Sequence, residues 1–427
     1  MKDFRSISKA KSNNFLNYFI TVGAIFSVNL FFGTVSNNYL LIFLCFLIIT
    51  AITRRVKLFD FRIAVFLLFV YLLILIQGLL FGGFSSAAIY TPLILFYVPY
   101  LIYQILKEKF LFYFVRVMLW IVIFTTPLWL LQSLVPYFDT LFRTLIEVVF
   151  PYSWAPVPRS LLIFTPMWAD YGFNSTIGLF RNSGLFHEPG AYGVFLIFAL
   201  IAQILSNRGN INNTGRVFIF ASLTTLSTAS YIALFVLLLS YYISNAQNAV
   251  KKLVIIVSFT AISFITYQSQ EFLGEKITGQ FQSQLTLAEM NSGIYVGQSG
   301  RFYAFITAYK LFLQNPLTGR GIIYATSEKA SGEMHAEASY IYGPMGVMAT
   351  YGILFAILYF FLIFKGLNQT ILMNPNRTLV IGCFLSMLLA VSSQVFVLTF
   401  FMVYFVIIGL ETHRGQIHYK PELKQNL

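Results

Sequence analysis

Charge is what this sequence has least of. Only 10% of its 427 residues are Asp, Glu, Lys or Arg, while 58% are hydrophobic and the mean hydropathy is +0.76. A soluble domain cannot hide that much apolar surface behind so few charges, so the composition points to a polytopic membrane protein. Cysteine is nearly absent. Cys45 and Cys383 both lie within apolar runs and read as small buried hydrophobes, which argues against a disulfide framework and a zinc site. Acidic residues number 15 against 28 Lys and Arg, giving a net charge of +13. Basic residues gathered in cytoplasmic loops produce that excess through the positive-inside rule, so no nucleic-acid partner is implied.

Nucleotide-handling motifs are also missing. The chain has no P-loop, no Rossmann glycine pattern, no GxSxG and no acidic pair of the DxD kind. This argues against an ATP-driven pump and against a cytoplasmic transferase using nucleotide sugars. His187, Glu188, His335 and Glu337 could in principle gather around a cation, but no spacing such as HExxH supports a metal. No cofactor is implied.

What the chain does have is a series of apolar runs, at 15–34, 38–53, 61–80, 88–106, 110–132, 188–205, 252–268, 344–364, 378–393 and 395–410. Several approach the ~20 residues needed to cross hydrocarbon. Lys2, Arg5, Lys9 and Lys11 form a basic leader to the first run, and no small-residue cleavage site follows, so an anchor is expected here. The stretch 217–243 is ambiguous, and parity decides it. Broken into two short passes at Ser227-Thr228-Ala229-Ser230, it puts Lys251 and Lys252 inside with Lys365, Arg377, Arg414, Lys420 and Lys424. The expected fold is therefore all-α: a polytopic membrane helical bundle of about twelve passes with both termini cytoplasmic. A polar break at membrane depth survives only where protein buries it or a wet cavity takes it up.

The expected divisions are 1–132 with five spans, a long outer segment at 133–187, and central spans over 188–268. A second long outer segment at 269–343, three spans over 344–410 and a cytoplasmic tail at 411–427 follow. Trp129, Trp154 and Trp168 with several prolines suggest that the first outer segment lies along the headgroup layer. In the second, Ser299 is a plausible N-cap for an amphipathic helix. Phe302, Phe305, Ile306, Tyr309 and Leu313 share one face of it, and Asn315-Pro316 ends it.

Both outer segments carry positive charge against the positive-inside bias: Arg143, Arg159 and Arg181, then Lys276, Arg301, Lys310, Arg320 and Lys329. One reading pairs them with Asp139, Glu147, Asp170, Glu271, Glu275, Glu289, Glu328 and Glu333 at a wet surface, where ion pairs are common and slight. The other gives them a phosphate, which the planar guanidinium fork suits. His335 can take a proton from an attacking hydroxyl, or be a solvated loop histidine beside Glu333 and Glu337. Glu188 can favour a helix start, pair with Arg181 or act as a base, and Pro189 can open the helix that follows.

Read together, these motifs resemble the O-antigen polymerase and ligase superfamily. Arg181–Tyr192, RNSGLFHEPGAY, is similar to that family's R-x-x-G-x-x-x-E-P segment. Leu226–Ser230 is similar to its short helix pair with a Ser/Thr turn. Gly300-Arg301, Asn315–Gly321 and His335 before Gly346 resemble its long outer loop. The resemblance covers about residues 175–410; the N-terminal half matches only in hydropathy.

The resemblance implies an inner-membrane, metal-independent glycosyltransferase whose donor is a glycan on undecaprenyl diphosphate, presented at the periplasmic face. A polymerase passes the chain to the next lipid-linked repeat unit, and a ligase passes it to lipid A-core. Membrane lipid, a chain-length regulator and a flippase are the implied partners. By resemblance, Arg301 and His335 match a diphosphate-binding arginine and an acceptor-activating histidine, while Arg181 and Glu188 match motif positions. Many family members carry Arg within the turn where Thr228-Ala229 stand here, which shifts the expected diphosphate contacts towards Arg181, Arg159 or Arg320. His187 and Glu337 complete the expected substrate-binding set, and Tyr171, Tyr192, Trp168 and Tyr340 are candidates for stacking on sugars. A flippase would instead spread basic residues through the spans, and only Arg62 and Arg116 are placed that way.

Overall fold

The computed structural model describes residues 14–25, 37–81, 92–149, 173–174, 178–186, 188–269, 301–321, 343–370, 376–392 and 399–411. Arg159, His187, His335 and Glu337 lie outside them, as do Tyr171, Trp168 and Tyr340. Arg301 is the first residue of a described helix whose side chain there is not described.

The described chain is almost entirely helical. The first helices are α1 (Asn14–Ile25), α2 (Asn37–Thr53), α3 (Phe61–Phe81), a π-helical turn (Leu93–Tyr97) running into α4 (Val98–Leu106), α5 (Lys109–Leu134) and α6 (Pro136–Val149). A two-residue strand pair, β1 (Phe173–Asn174) and β2 (Leu179–Phe180), precedes α7 (Pro189–Ser206), α8 (Asn213–Thr224), α9 (Thr228–Asn245) and α10 (Ala249–Ser269). Then come α11 (Arg301–Gln314), α12 (Gly343–Thr370), α13 (Arg377–Val391) and α14 (Phe400–Leu410).

Among the described residues, five helices (α3, α5, α7, α9 and α12) are long and apolar enough to cross a membrane. That is fewer than the twelve passes expected; most of the other apolar helices are shorter, α8, α13 and α14 having 12, 15 and 11 residues. At 1.5 Å per residue such helices reach only about 16–23 Å, short of a hydrocarbon core of about 30 Å.

Helix α7 is the centre of the bundle. All residues from Pro189 to Leu205 are buried, with α5, α8, α9 and α13 packed around them and Phe198 stacked on Phe401 of α14 at 4.6 Å. Small residues set the closest helix pairs, as van der Waals packing in lipid favours. Gly366 and Gly409 let α12 and α14 meet backbone to backbone, and Gly382 admits Ser240 where α13 packs on α9. Ser386 Oγ seals that pair by donating to Ala233 O at 2.8 Å.

The ambiguous 217–243 stretch is a helical hairpin. Tyr231 Oη donates to Leu223 O (2.6 Å) at its closed end, and Ile211 N donates to Tyr241 Oη (3.4 Å) at the open end. The helices reach 213 and 245, and the break falls at 225–227, so Thr228–Ser230 open α9 and are not the break itself. Helix α12 departs further from expectation. It is broken at Gly352 (φ 78°, ψ 173°), well inside what reads as one plain span. In α11 the apolar surface is two-sided: Ala308, Leu311 and Phe312 pack on Met345, Met348 and Ala349, while Phe305, Tyr309 and Leu313 face outwards. Trp129 is buried and donates Nε1–H to Phe180 O (2.6 Å), so it ties α5 to β2 and is no headgroup anchor.

The bundle has two distinct ends. At one, Arg54 Nη1 donates to Asn17 Oδ1 (2.8 Å), Arg62 Nη1 to Leu410 O (3.4 Å) and Tyr103 Oη to Glu411 Oε2 (2.6 Å). Lys107 stands 3.7 Å from Glu411. The α7–α8 turn with Arg208 also returns to this end, because Thr125 and Trp129, late in α5, meet the start of α7 and the chain approaching it. The opposite end gathers Gln77, Thr318, Gly352, Arg181 and the α8–α9 turn.

Candidate functional site

The site begins with a loop folded onto its own helix. Asn182 Oδ1 accepts from Gly184 N (2.9 Å), and Phe186 N donates to Ser183 O (2.8 Å), so residues 182–186 form two successive tight turns. Gly184 has φ 58°, and a Cβ there would come within 2.8 Å of the Tyr192 ring. The loop therefore lies directly over Tyr192, which is fully buried, stacks on Phe186 at 5.4 Å and shares a 3.3 Å hydroxyl contact with Thr125. Tyr192 is structural here and is not open to a sugar. Pro189 opens α7 as expected, with Glu188 as its extended N-cap. The Glu188 side chain does not cap the helix and stays half-buried.

Asn182 then ties this loop to the α8–α9 turn. Its backbone N–H donates to Thr224 O (3.0 Å) and its Nδ2 to Thr224 Oγ1 (2.9 Å). The 181–192 stretch is thus tied to the end of α8, two residues before Leu226, through one buried residue pair. The turn itself is tight: Leu226 has φ 46°, a left-handed conformation that costs a non-glycine residue about 1–2 kcal/mol. Thr225 and Ser227 are buried within it. Ser227 is the N-cap of α9 yet makes no side-chain cap, and the hydroxyls of Ser227 and Thr228 have no hydrogen-bond partner among the described residues. Arg181 is half-buried with Nε covered and its charge within reach of Tyr231, one turn into α9. A helix N-terminus and a guanidinium make this junction electropositive, suited to an anionic group.

Arg320 belongs to a second construction at the same end of the bundle. The loop 315–321 after α11 is bonded into the break of α12: Arg320 N donates to Ala349 O (2.8 Å), Gly321 N to Thr350 O (3.0 Å) and Ile353 N to Pro316 O (2.8 Å). Gln77 of α3 joins both partners, its Nε2 donating to Thr318 O (2.5 Å) and Thr350 O (2.8 Å). Arg181 and Arg320 are thus built on different helices, α7–α9 for one and α3, α11 and α12 for the other. Gln77 escaped the reading of the sequence, although it carried a signal: it is the one polar side chain between Tyr71 and the end of α3, and a polar group in such a span is expensive unless it has work to do. Asn182 and Thr224 also went unremarked, being ordinary polar residues until the fold brings them together.

No three His, Cys, Asp or Glu side chains gather among the described residues. Compared with family models, curated proteins and solved structures, the chain matches none.

Proposed function

We propose that this protein is an inner-membrane glycosyltransferase that polymerises oligosaccharide repeat units carried on undecaprenyl diphosphate, working at the periplasmic face without a metal. The observation that supports this best is the Asn182–Thr224 tie, which joins the Arg181–Pro189 stretch to the Ser/Thr turn beside an electropositive helix start. The two-ended bundle supports the sidedness. Arg54, Arg62, Lys107 and Arg208 share one end, as cytoplasmic loops require, and Arg181 and Arg320 share the other. With the hairpin counted as two passes, the chain crosses about twelve times, both termini are cytoplasmic, and 269–343 is a periplasmic loop.

The chemistry follows from the leaving group. The acceptor hydroxyl attacks the anomeric carbon of the donor, the carbon–oxygen bond to the diphosphate breaks, and the lipid diphosphate departs with the bonding electrons. The protein's work is to hold that developing charge and to orient the acceptor. Arg181, Arg301, Arg159 and Arg320 are the proposed diphosphate ligands, with His187 and Glu337 also lining the substrate. His335 or Glu188 takes the hydroxyl proton.

The test is purified protein in liposomes with the undecaprenyl-diphosphate repeat unit of its host, without nucleotide or metal. A ladder of longer glycans supports the polymerase. Growth only after lipid A-core is added makes it a ligase, and movement of the donor across the bilayer without growth makes it a flippase.

A further inference from the structure

The break in α12 is braced from two other elements, the 315–321 loop and α3. A helix interrupted at Gly352 frees backbone groups that would otherwise bond within it, and lipid offers no replacement for them. Here the replacements come from the loop. Ala349 O and Thr350 O accept from the amides of Arg320 and Gly321, and Ile353 N donates to Pro316 O. The fit leaves no spare room. A Cβ on Gly319 would lie 2.5 Å from Thr350 O, and one on Gly321 would lie 3.0 Å from Gln77 Oε1.

Gln77 closes the construction from a third element. The two carbonyls its Nε2 engages lie on opposite sides of the clasp, one in the loop and one in the helix. Its amide therefore fixes the distance between them. Breaking a membrane helix only to join it to a loop gives no gain in backbone hydrogen bonding over an unbroken helix. What the clasp does is root one residue, Arg320, between two glycines with its own N–H bonded into α12 and its guanidinium Nε covered. Arg320 is half-buried, and the bracing fixes the backbone from which its guanidinium extends.

We propose that Gln77 is a positioning residue: through the Thr318 and Thr350 carbonyls it sets the Arg320 guanidinium to meet the diphosphate of the lipid-linked donor. This rests on the transferase reading for the identity of the ligand. It assigns a substrate-side role to a residue of the N-terminal region, where the family resemblance covers hydropathy alone.

The test is binding of undecaprenyl diphosphate itself, measured on full-length detergent-purified protein alongside transfer activity. Gln77→Met keeps the length and removes both donors; Gln77→Asn keeps the amide but draws it back by one methylene. Each should weaken binding about tenfold, as should Arg320→Ala, this being the scale of one lost charge-assisted contact. The decisive readout is coupling. Gln77→Met should add nothing in an Arg320→Ala background and should multiply with Arg181→Ala, because only the first pair shares one contact. A brace that merely supports the fold would weaken binding equally in both backgrounds, and that result overturns the proposal. Full affinity in both folded Gln77 variants overturns it as well. If Gln77→Met fails to fold, Gln77→Asn carries the same comparison. Wild-type protein that binds the diphosphate with this coupling but transfers no glycan sinks the transferase reading and leaves the positioning role standing. Protein that binds no diphosphate sinks both.

Discussion

Gly319 and Gly352 stand where the 315–321 loop and α12 meet backbone to backbone, and a Cβ on either would strike the opposite segment. Both have positive φ, 67° and 78°, and a Cβ on Gly319 would lie 2.6 Å from the Gly352 nitrogen. A Cβ on Gly352 would run into the Leu317 carbonyl and lie 2.7 Å from Thr318 C. Either alanine substitution combines left-handed strain with a backbone collision and should cost about 2–5 kcal/mol. Gly178→Ala is the control, since it shares the positive φ (70°) but has nothing within 4 Å of a new Cβ. It should cost about 1 kcal/mol. Thermal unfolding of the three variants in one detergent checks the order, and equal losses would contradict it.

Asn182→Ala should damage function beyond its effect on stability. It strands the Gly184 amide and unties the loop from Thr224, a loss of about 1–3 kcal/mol for the buried groups left unpaired. Thr224→Val removes only the hydroxyl and keeps the shape and the backbone acceptor, so it should cost about 1 kcal/mol. With both variants folded, transfer by Asn182→Ala should fall at least about tenfold below that of Thr224→Val. Equal activities would mean that the tie is structural only.

At the other end of the bundle, Glu411 should matter more than its salt-bridge partner. It accepts from the buried Tyr103 hydroxyl at 2.6 Å, whereas Lys107 stands 3.7 Å away and half-exposed. Glu411→Ala should cost about 1.5–3 kcal/mol, the range for a hydrogen bond to a charged group, and Lys107→Met less than about 1 kcal/mol. Burial holds the Lys107 ammonium below the ordinary lysine range, and Glu411 only partly offsets this. A lowered lysine value in the folded state means the native protein favours the neutral amine. Its contribution is fully present above the ordinary value of 10.5 and is lost as pH falls through the lowered one. Lys107→Met should accordingly flatten the fall in melting temperature as pH drops below the ordinary lysine value of 10.5. A steeper fall in the variant would contradict this.

Helices α9 and α13 are joined by a small-residue contact that should tolerate loss of a hydroxyl but not gain of bulk. Ser386→Ala deletes one interhelical bond, worth about 0.6 kcal/mol in such settings. Gly382→Leu drives a side chain into Ser240 and should cost about 1–3 kcal/mol or more. Melting temperatures rank the two, and the reverse order would contradict the packing.

The apolar runs and the helix openings were legible because they depend on local physics. Pro189 opens α7 where the missing N–H predicts, and the break between α8 and α9 follows from polar residues that a continuous span would have to bury. The break in α12 was not legible. Gly352 sits in a run as apolar as any other, and only the loop bonded across it makes a kink affordable. Trp129 and Tyr192 were misread for the same reason. Aromatic residues near a span end are equally suited to headgroups, sugars and the core, and the choice here was made by partners distant in sequence, Phe180 for one and Thr125 for the other. Arg181 stood out as a charge at a membrane lip, but its setting came from Asn182 and Thr224, which only the fold unites.

The most direct measurement is glycan transfer by reconstituted protein, wild type against Arg181→Ala, from an undecaprenyl-diphosphate repeat unit with nucleotide and metal withheld. The account predicts a ladder of extended glycans from the wild type. It predicts loss of at least about a hundredfold in rate from the variant, as for a group that holds the charge developing on the leaving diphosphate. A wild type that binds the donor but never extends it, or an Arg181→Ala variant that extends it at full rate, would contradict the account.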